Sequence, residues 1–494
     1  MIFFGLDIGS SSCKCAAFAE DGAFVAEAAR EYLRVPGQIG LDADELFGYI
    51  CDAISGCAAR IGDKKDEIYS ITVSSFGESF VPVDANGTAL SGITLYTDAG
   101  GFDETAALKR RVADIGLISG AHPNSFYALP KMMAMVASSP RIRDKAWKFL
   151  QIADYAIFRL CGNAVIDYSL ACRAMAFDIV NRRWSNKILA AAGFDADDLA
   201  TPVPSGTAAG CIRSGLADKL GLSEKTLIIA GTHDQVASAI GAGALEAGQA
   251  VVGTGSTECV TPVFGAPVLT PGFLEQNYAC VPHAVPGKYV TYAFTITGGS
   301  ILAWFRNKLA PHLMPEAAKK GCTTYDLLNE SCPREPSDLI VIPHFGGSGT
   351  PELAPSALGV VAGLSLGVDL PDIYRAVLEG LCFEIRYNMD ILSEYGINVD
   401  SLRATGGGAR SDVWLQLKAD ILGVRILPLA TEDAGVVGGA MLAAVASGAY
   451  RLLSEAAGAF VRYREPFYPD AAMKEYYDEK FGKYKAVRKS MMNI

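Results

Sequence analysis

Phe3-Phe4-Gly5-Leu6-Asp7-Ile8-Gly9-Ser10-Ser11-Ser12-Cys13-Lys14 decides how the rest of the chain is read. The apolar run from Phe3 to Leu6 predicts a buried strand, and Gly9 with three following hydroxyls predicts a tight turn after it. Such a turn can offer N–H and O–H groups to phosphate oxygens, and Lys14 adds positive charge. Asp7, at the strand end, is placed to hold a magnesium ion through water. The same residues equally describe a hairpin turn with polar caps.

Outward from this turn, Ala16-Ala17-Phe18, Glu20-Asp21-Gly22 and Ala23-Phe24-Val25 predict a hairpin. Ala43 to Arg60 has helical spacing behind the N-cap Asp42, and Ile71 to Val73 is a further strand. The segment from about Thr105 to Ala200 reads as mostly helical, broken at Pro130, Pro140 and Gly162. The strand pattern then restarts with Leu227 to Ala230 and Ala250 to Val252, and Val290 to Ile296 is strand-like. Helices are predicted from Ser300 through Trp304, from Asp372 to Leu392, and from Val413 to Leu422 between the N-cap Ser411 and the stop Gly423. Two halves that each open with strands around a Gly-rich turn predict an α/β protein of two lobes, residues 1–245 and 246–494, with a cleft between them. With no Pro/Ser-rich linker, the lobes are expected to pack closely and hinge.

Other turns fit this frame. Gly253-Thr254-Gly255-Ser256-Thr257 is a second candidate phosphate turn, not a dinucleotide fingerprint, because Glu258 stands where the last Gly is needed. No GxxxxGK[ST] occurs, and Gly346-Gly347-Ser348-Gly349-Thr350 lacks the final Gly of a nucleophile elbow, so neither a P-loop NTPase nor a hydrolase is supported. Gly231-Thr232-His233-Asp234-Gln235 follows an apolar strand. An Asp there can take the proton of an attacking hydroxyl, although capping the next helix is the simpler reading of the spacing. Gly406-Gly407-Gly408 before Ser411 lets backbone approach a flat ligand or phosphate at a helix start.

Composition limits the alternatives. Of 494 residues half are hydrophobic, and 43 Lys plus Arg stand against 54 Asp plus Glu, a net charge of -11. An acidic chain without a basic run is poorly suited to nucleic acid. Twelve cysteines without a CxxC, and five scattered histidines without an HExxH, read as small buried residues of a reducing cytosol. The start has no basic leader region. Ala434 to Tyr450 carries no charge, but its four glycines and short length predict a helix buried in protein and not a membrane span.

Taken together, these turns resemble, over nearly the whole chain and in the same order, the FGGY carbohydrate kinase family. The most specific match is Gly359-Val360-Val361-Ala362-Gly363-Leu364, seven residues, then Asp372 to Glu379. Asp154-Tyr155, Gly162, Asp167-Tyr168-Ser169 and Gly299 before Trp304-Phe305-Arg306 are similar to further family segments. The resemblance implies a duplicated actin/hexokinase-like ATPase fold with ribonuclease H-like lobes, ATP and Mg²⁺ as cofactors, and phosphorylation of a sugar or polyol, by default a ketose such as xylulose. It implies Asp234 as general base and Asp7 as metal residue. Gly9, Ser10, Ser11, Ser12, Lys14, Gly253, Thr254, Gly255, Gly299, Gly407 and Ser411 would face the nucleotide, with Glu432 and Gly438-Gly439-Ala440 in the adenosine region. Glu78, Tyr96, Asp98, Phe126 and Gln235 would face the sugar, with Tyr127 beside them. A homodimer is left open.

The substrate segment departs from the family. Ala134 stands where a Trp is frequent, and Ser75-Phe76-Gly77-Glu78-Ser79 is unlike the Gln-Met-His of xylulokinases. Glu78 aligns with a glycerol kinase Glu, but Gly77 replaces the neighbouring Arg. A missing guanidinium and free space beside Glu78 are therefore expected, with glycerol disfavoured and a larger sugar favoured. The rival on the same fold is an actin-like or chaperone-like switch ATPase without sugar kinase activity.

Overall fold

The structure is a computed structural model, and it describes residues 1–33, 41–62, 64–431 and 433–491. The opening strand Ile2–Ile8 is buried at every position except Asp7, which its unbroken apolar run requires. It pairs antiparallel with Ser12–Ala19, setting Asp7 opposite Lys14, and parallel with Ile68–Ser75, setting Asp7 opposite Ser74. The sheet runs in the order Ala208–Cys211, Leu227–His233, Ile68–Ser75, Ile2–Ile8, Ser12–Ala19, Phe24–Glu31. The predicted hairpin turn is present, with Gly22 at a φ of 80°.

The second half repeats this plan. Gln249–Thr254 pairs antiparallel with Glu258–Phe264 and parallel with Ser401–Gly406, which pairs parallel with Arg425–Pro428. Each half is thus a hairpin followed by two parallel strands beside its first strand. The strand expected over Val290 to Ile296 is split. Tyr289–Val290 and Ala293–Thr295 pair with opposite ends of Glu258–Phe264, and Thr291 and Tyr292 lie between them.

Helix boundaries follow their caps. Asp42 accepts from Asp44 and Glu45 N–H at 2.9 and 3.0 Å and starts Ala43–Ile61. The late helix spans Leu370–Glu394 and begins earlier than predicted, because Asp369 and Asp372 cap each other and Pro371 fits the first turn. In the middle region Pro140 marks the expected break between two helices, whereas Pro130 sits at the start of a helix and breaks none. Pro140 opens Pro140–Lys145 and Pro130 lies in the first turn of Ala128–Ser138, where a missing N–H costs nothing. Gly162 ends Ile152–Cys161 as expected.

The charge-free segment forms the buried helix Ala434–Ala446. Although it comes from the second half, it packs on the first strand and on the helix Asp234–Gly241 of the first half. Among the described residues no helix is long and apolar enough to cross a membrane. All twelve cysteines are free. Six are buried, whereas Cys211 is exposed, so the expectation of burial holds for only part of the set.

Candidate active site

Parallel strands place their carboxyl ends on one side of a sheet, and ligands of such sheets bind there. Here those ends carry Asp7 after Leu6, Phe76 to Glu78 after Ser75, and Asp234 after His233. In the second half they carry Gly255 after Thr254 and Gly407 after Gly406. The two halves meet at this edge, since the charge of Asp234 acts both on Asp7 and on Cys259 of the second hairpin.

Around Asp7 the site is acidic. Burial, then the charges of Asp433 and Asp234, push its carboxyl well above the usual range, while Lys14 opposes them. Lys14 Nζ lies 2.9 Å from Asp433 Oδ2, and Asp433 caps the Ala434 helix. Asp7 Oδ1 is shut from solvent and has no hydrogen-bond partner. Among the described residues no three acidic, His or Cys side chains converge as a direct ligand set, so a hard divalent cation would be met here by the unsatisfied Asp7 oxygen with water completing its shell.

Asp234 opens its helix, with His233 as the N-cap residue. Its Oδ1 accepts from Gln235 N–H at 2.6 Å. Burial is the main cause that pushes its carboxyl up to about 7, with the hydrogen bond from Gln235 opposing. The side chain keeps 31% of its surface open, and water reaching it moderates that shift. His233 is stacked on Tyr292 with ring centroids 5.1 Å apart, and burial holds its imidazole well below its ordinary pKa, hence neutral. A neutral, stacked ring supports the turn and does not compete for the proton.

On the sugar side the structure overturns one expectation. The space beside Glu78 is not free, and the guanidinium is not missing: Arg173 supplies it. Arg173 Nε donates to Glu78 Oε1 at 2.5 Å, and both side chains are buried. A Cβ on Gly77 would come within 2.6 Å of the Arg173 side chain, so a small residue at 77 is what lets the arginine in. Glu78 itself holds a φ of 62°, a conformation rare for non-glycine residues and recurrent at functional sites. Tyr96 and Phe126 are in contact, with centroids 5.0 Å apart, and Arg173 lies over Tyr127 at 5.0 Å and Tyr292 at 5.4 Å. A cavity of about 390 Å³ adjoins this cluster, walled by Phe126, Tyr127, Arg173, Tyr292, Phe294 and Ser348. Of the residues expected to face the sugar, Phe126 and Tyr127 are in its wall, and Glu78, Tyr96, Asp98 and Gln235 are not. The Asp98 carboxylate accepts from Leu95 N–H at 2.8 Å and its carbonyl from Lys131, so Asp98 closes its own turn. Gln235 is half-buried on the first turn after Asp234.

The predicted nucleotide side comes together at the second hairpin. Gly299 N–H donates to Gly255 C=O at 2.7 Å, and a Cβ on Gly299 would stand 2.6 Å from that oxygen. The Thr254 hydroxyl is turned away, donating to the buried Glu258 at 2.6 Å, with Lys418 3.0 Å from the same carboxylate. Gly253 lies beside it in the strand. No atom lies within 4 Å of where a Gly407 side chain would begin, so that turn is open. Ser411 caps Asp412–Leu422 through Trp414 N–H and donates to Asn329. In the first turn Gly9 N–H donates to Ser12 C=O and Tyr32 N–H to Ser11 C=O, both at 2.9 Å, which fixes the loop that carries Ser10. Glu432 lies outside the described residues.

Arg173, Tyr292 and Asp433 were not singled out by the sequence. For Asp433 a signal existed, an acid just before a small-residue helix. Arg173 and Tyr292 stand in no motif, and only the tertiary structure brings them to Glu78 and His233.

Comparison with known proteins agrees with the geometry. Residues 2–241 match the model of the N-terminal domain of the FGGY family of carbohydrate kinases, and residues 248–447 that of its C-terminal domain. The chain is 27% identical to a xylulose kinase of Bacillus subtilis, covering 98% of this chain and 96% of the relative. It is 26% identical to a gluconokinase of Bacillus licheniformis, covering 90% and 87%. In fold it is similar to the crystal structure of a xylulose kinase from Rhodospirillum rubrum, with a TM-score of 0.89, 24% identity and coverage of 100% and 99%. The two-lobed actin/hexokinase-like fold is thereby established.

Proposed function

The chain belongs to the FGGY family of carbohydrate kinases and is an ATP-dependent sugar kinase, and we propose that its acceptor is a ketose such as xylulose, with Asp234 as the general base. One observation carries the choice of base: a carboxylate with its pKa raised to about 7 stands at a strand end on the same cleft floor as Asp7. A base poised near neutrality takes a hydroxyl proton as that oxygen attacks phosphorus. The xylulose kinase relatives support the ketose, and the gluconokinase relative makes sugar acids the competing class.

In this reading the hairpin turns at Gly9 to Ser12 and Gly253 to Gly255 hold the phosphates, and Lys14 adds charge. Gly299, Gly407 and Ser411 line the nucleotide side. Asp7 would hold Mg²⁺ through water, and the ion would offset charge on the β- and γ-phosphates. Glu78, Phe126, Arg173 and Gln235 orient the acceptor, and closure of the lobes excludes water. Tyr96 buttresses Phe126.

The test is sugar-dependent ADP release across ketoses, aldoses, polyols and sugar acids. A ketose is expected to give the highest kcat/KM. ATP turnover that ignores every sugar but rises with self-association, followed by sedimentation, would return the switch-ATPase reading.

Two further results are expected. The kcat/KM for the sugar, measured from about pH 5.5 to 8.5, should fall as pH drops through about 7, because Asp234 then carries a proton and cannot accept another. A flat profile with chemistry rate-limiting would remove Asp234 as the base. Asp7→Asn, which deletes one charge beside the unsatisfied oxygen, should lower kcat roughly 100-fold and raise the Mg²⁺ concentration for half-maximal rate. An unchanged Mg²⁺ dependence would assign the ion elsewhere.

A further inference from the structure

The cavity walled by Phe126, Arg173 and Tyr292 contains two polar groups that the fold leaves unpaired. Arg173 Nη1 and Tyr292 Oη have no hydrogen-bond partner, and the residues are 6% and 8% exposed. A buried donor without a partner costs about 1–3 kcal/mol, so two in one wall call for a ligand that restores the bonds. Both residues wall the same cavity, with the Arg173 guanidinium carbon 5.4 Å from the Tyr292 ring centroid. The Tyr292 hydroxyl is held protonated, because burial raises it well above its usual range. The backbone around them is held in unusual conformations. Asn277 and Leu353, also in the wall, have φ of 60° and 51°, and Met175, two residues after Arg173, has φ of 63°.

Charge decides what kind of oxygen belongs there. Arg173 is already paired with Glu78, and Asp234 adds a second acid, so one cation faces two carboxylates. Lys131 is held against Asp98. His233 and His122 are both pushed down by burial and stay neutral. A site with no surplus positive charge would have to bury the carboxylate of a sugar acid uncompensated. A carbonyl oxygen, in contrast, has two lone pairs and no hydrogen to place, which suits two donors. A hydroxyl beside that carbonyl can donate to Glu78.

Resting on the sugar kinase reading above, we propose that Arg173 and Tyr292 form the specificity subsite of this kinase and bind the carbonyl oxygen of an uncharged α-hydroxy ketone sugar. Its apolar face lies along Phe126 and Phe294. Gly77 is part of the device, because its missing side chain admits Arg173. A site built to donate to an oxygen discriminates strongly against an analogue that cannot accept in the same way.

The experiment compares a ketose, the polyol made by reducing its carbonyl, and the matching aldonic acid as substrates of wild type, Arg173→Gln and Tyr292→Phe. Wild type is expected to favour the ketose over the polyol by about 100-fold in kcat/KM, and over the acid by more. Arg173→Gln should raise the ketose KM about 100-fold with kcat within a few-fold and the KM for ATP unchanged, and the ketose-to-polyol ratio should collapse. Tyr292→Phe, which keeps the ring and its stack on His233, should raise the KM about 10-fold and guards against a folding defect in the arginine variant. An active wild type whose Tyr292→Phe and Arg173→Gln forms keep its KM and its ratio overturns the subsite alone. A preference for the aldonic acid overturns the subsite and the ketose assignment together, and leaves the sugar kinase standing. A wild type with no sugar-dependent turnover overturns the subsite together with the reading it rests on.

Discussion

Asp234→Asn is expected to lower sugar-dependent turnover by about 10³-fold or more while ATP still binds. The substitution is nearly isosteric, and the amide oxygen can still accept from Gln235 N–H, the bond Asp234 makes at 2.6 Å. The N-cap residue of the helix is His233, so the start of Asp234–Gly241 does not depend on the charge. What is lost is the ability to take a proton, a contribution of about 10²–10⁴ in rate, together with the charge that aligns the hydroxyl. Initial rates with saturating ATP, alongside a melting curve, separate chemistry from folding. A variant that melts like the wild type and keeps more than about a tenth of its rate would remove Asp234 from the reaction.

Gly438→Ala is expected to destabilise the protein by about 3 kcal/mol, through packing alone. A Cβ at 438 would collide with the Ala237 carbonyl and stand 2.9 Å from Gly241 N. The helix cannot move away, because on its other side a Cβ on Gly439 would be 3.0 Å from Gly5 Cα. Inserting one methyl between two backbones held from both sides costs about 1–3 kcal/mol or more. Gly458→Ala is the control. It lies in the helix Leu453–Phe460 with nothing within 4 Å of the new carbon, and should be neutral or stabilising by up to about 1 kcal/mol. Urea unfolding of both variants checks the pair, and equal stabilities would mean that the helix crossing is looser than its glycines indicate. Because the Ala434 helix carries Asp433 against Lys14, loss of this packing should also weaken the phosphate side of the cleft.

The parts of the site that the sequence made visible are those built from consecutive residues. Asp7 to Lys14 and Gly253 to Gly255 each combine a strand end with a turn, which local chemistry makes candidates and to which the family resemblance adds a phosphate role. Asp234 reads locally as a helix cap, and its role as a base comes only from the family resemblance. The acceptor side depends on distant segments, and there the reading failed in an instructive way. Gly77 looked like a lost arginine, yet Arg173 fills that volume from almost a hundred residues further on, which no local pattern records. The charge-free helix from Ala434 is buried as its sequence indicates, but its seat on the first sheet and on the helix Asp234–Gly241 rests on backbone contacts at Gly5 and Gly241. Pro130 departs from the expected helix break because a proline in a first turn and a proline that breaks a helix look alike in sequence.

The most direct measurement follows the γ-phosphoryl group itself, using ATP labelled at that position with the preferred ketose. Label is expected in the sugar phosphate, one for each ADP formed, and is expected to vanish from it in Asp234→Asn. Label found only in inorganic phosphate, at a rate indifferent to sugar, would contradict the assignment of this cleft to sugar phosphorylation.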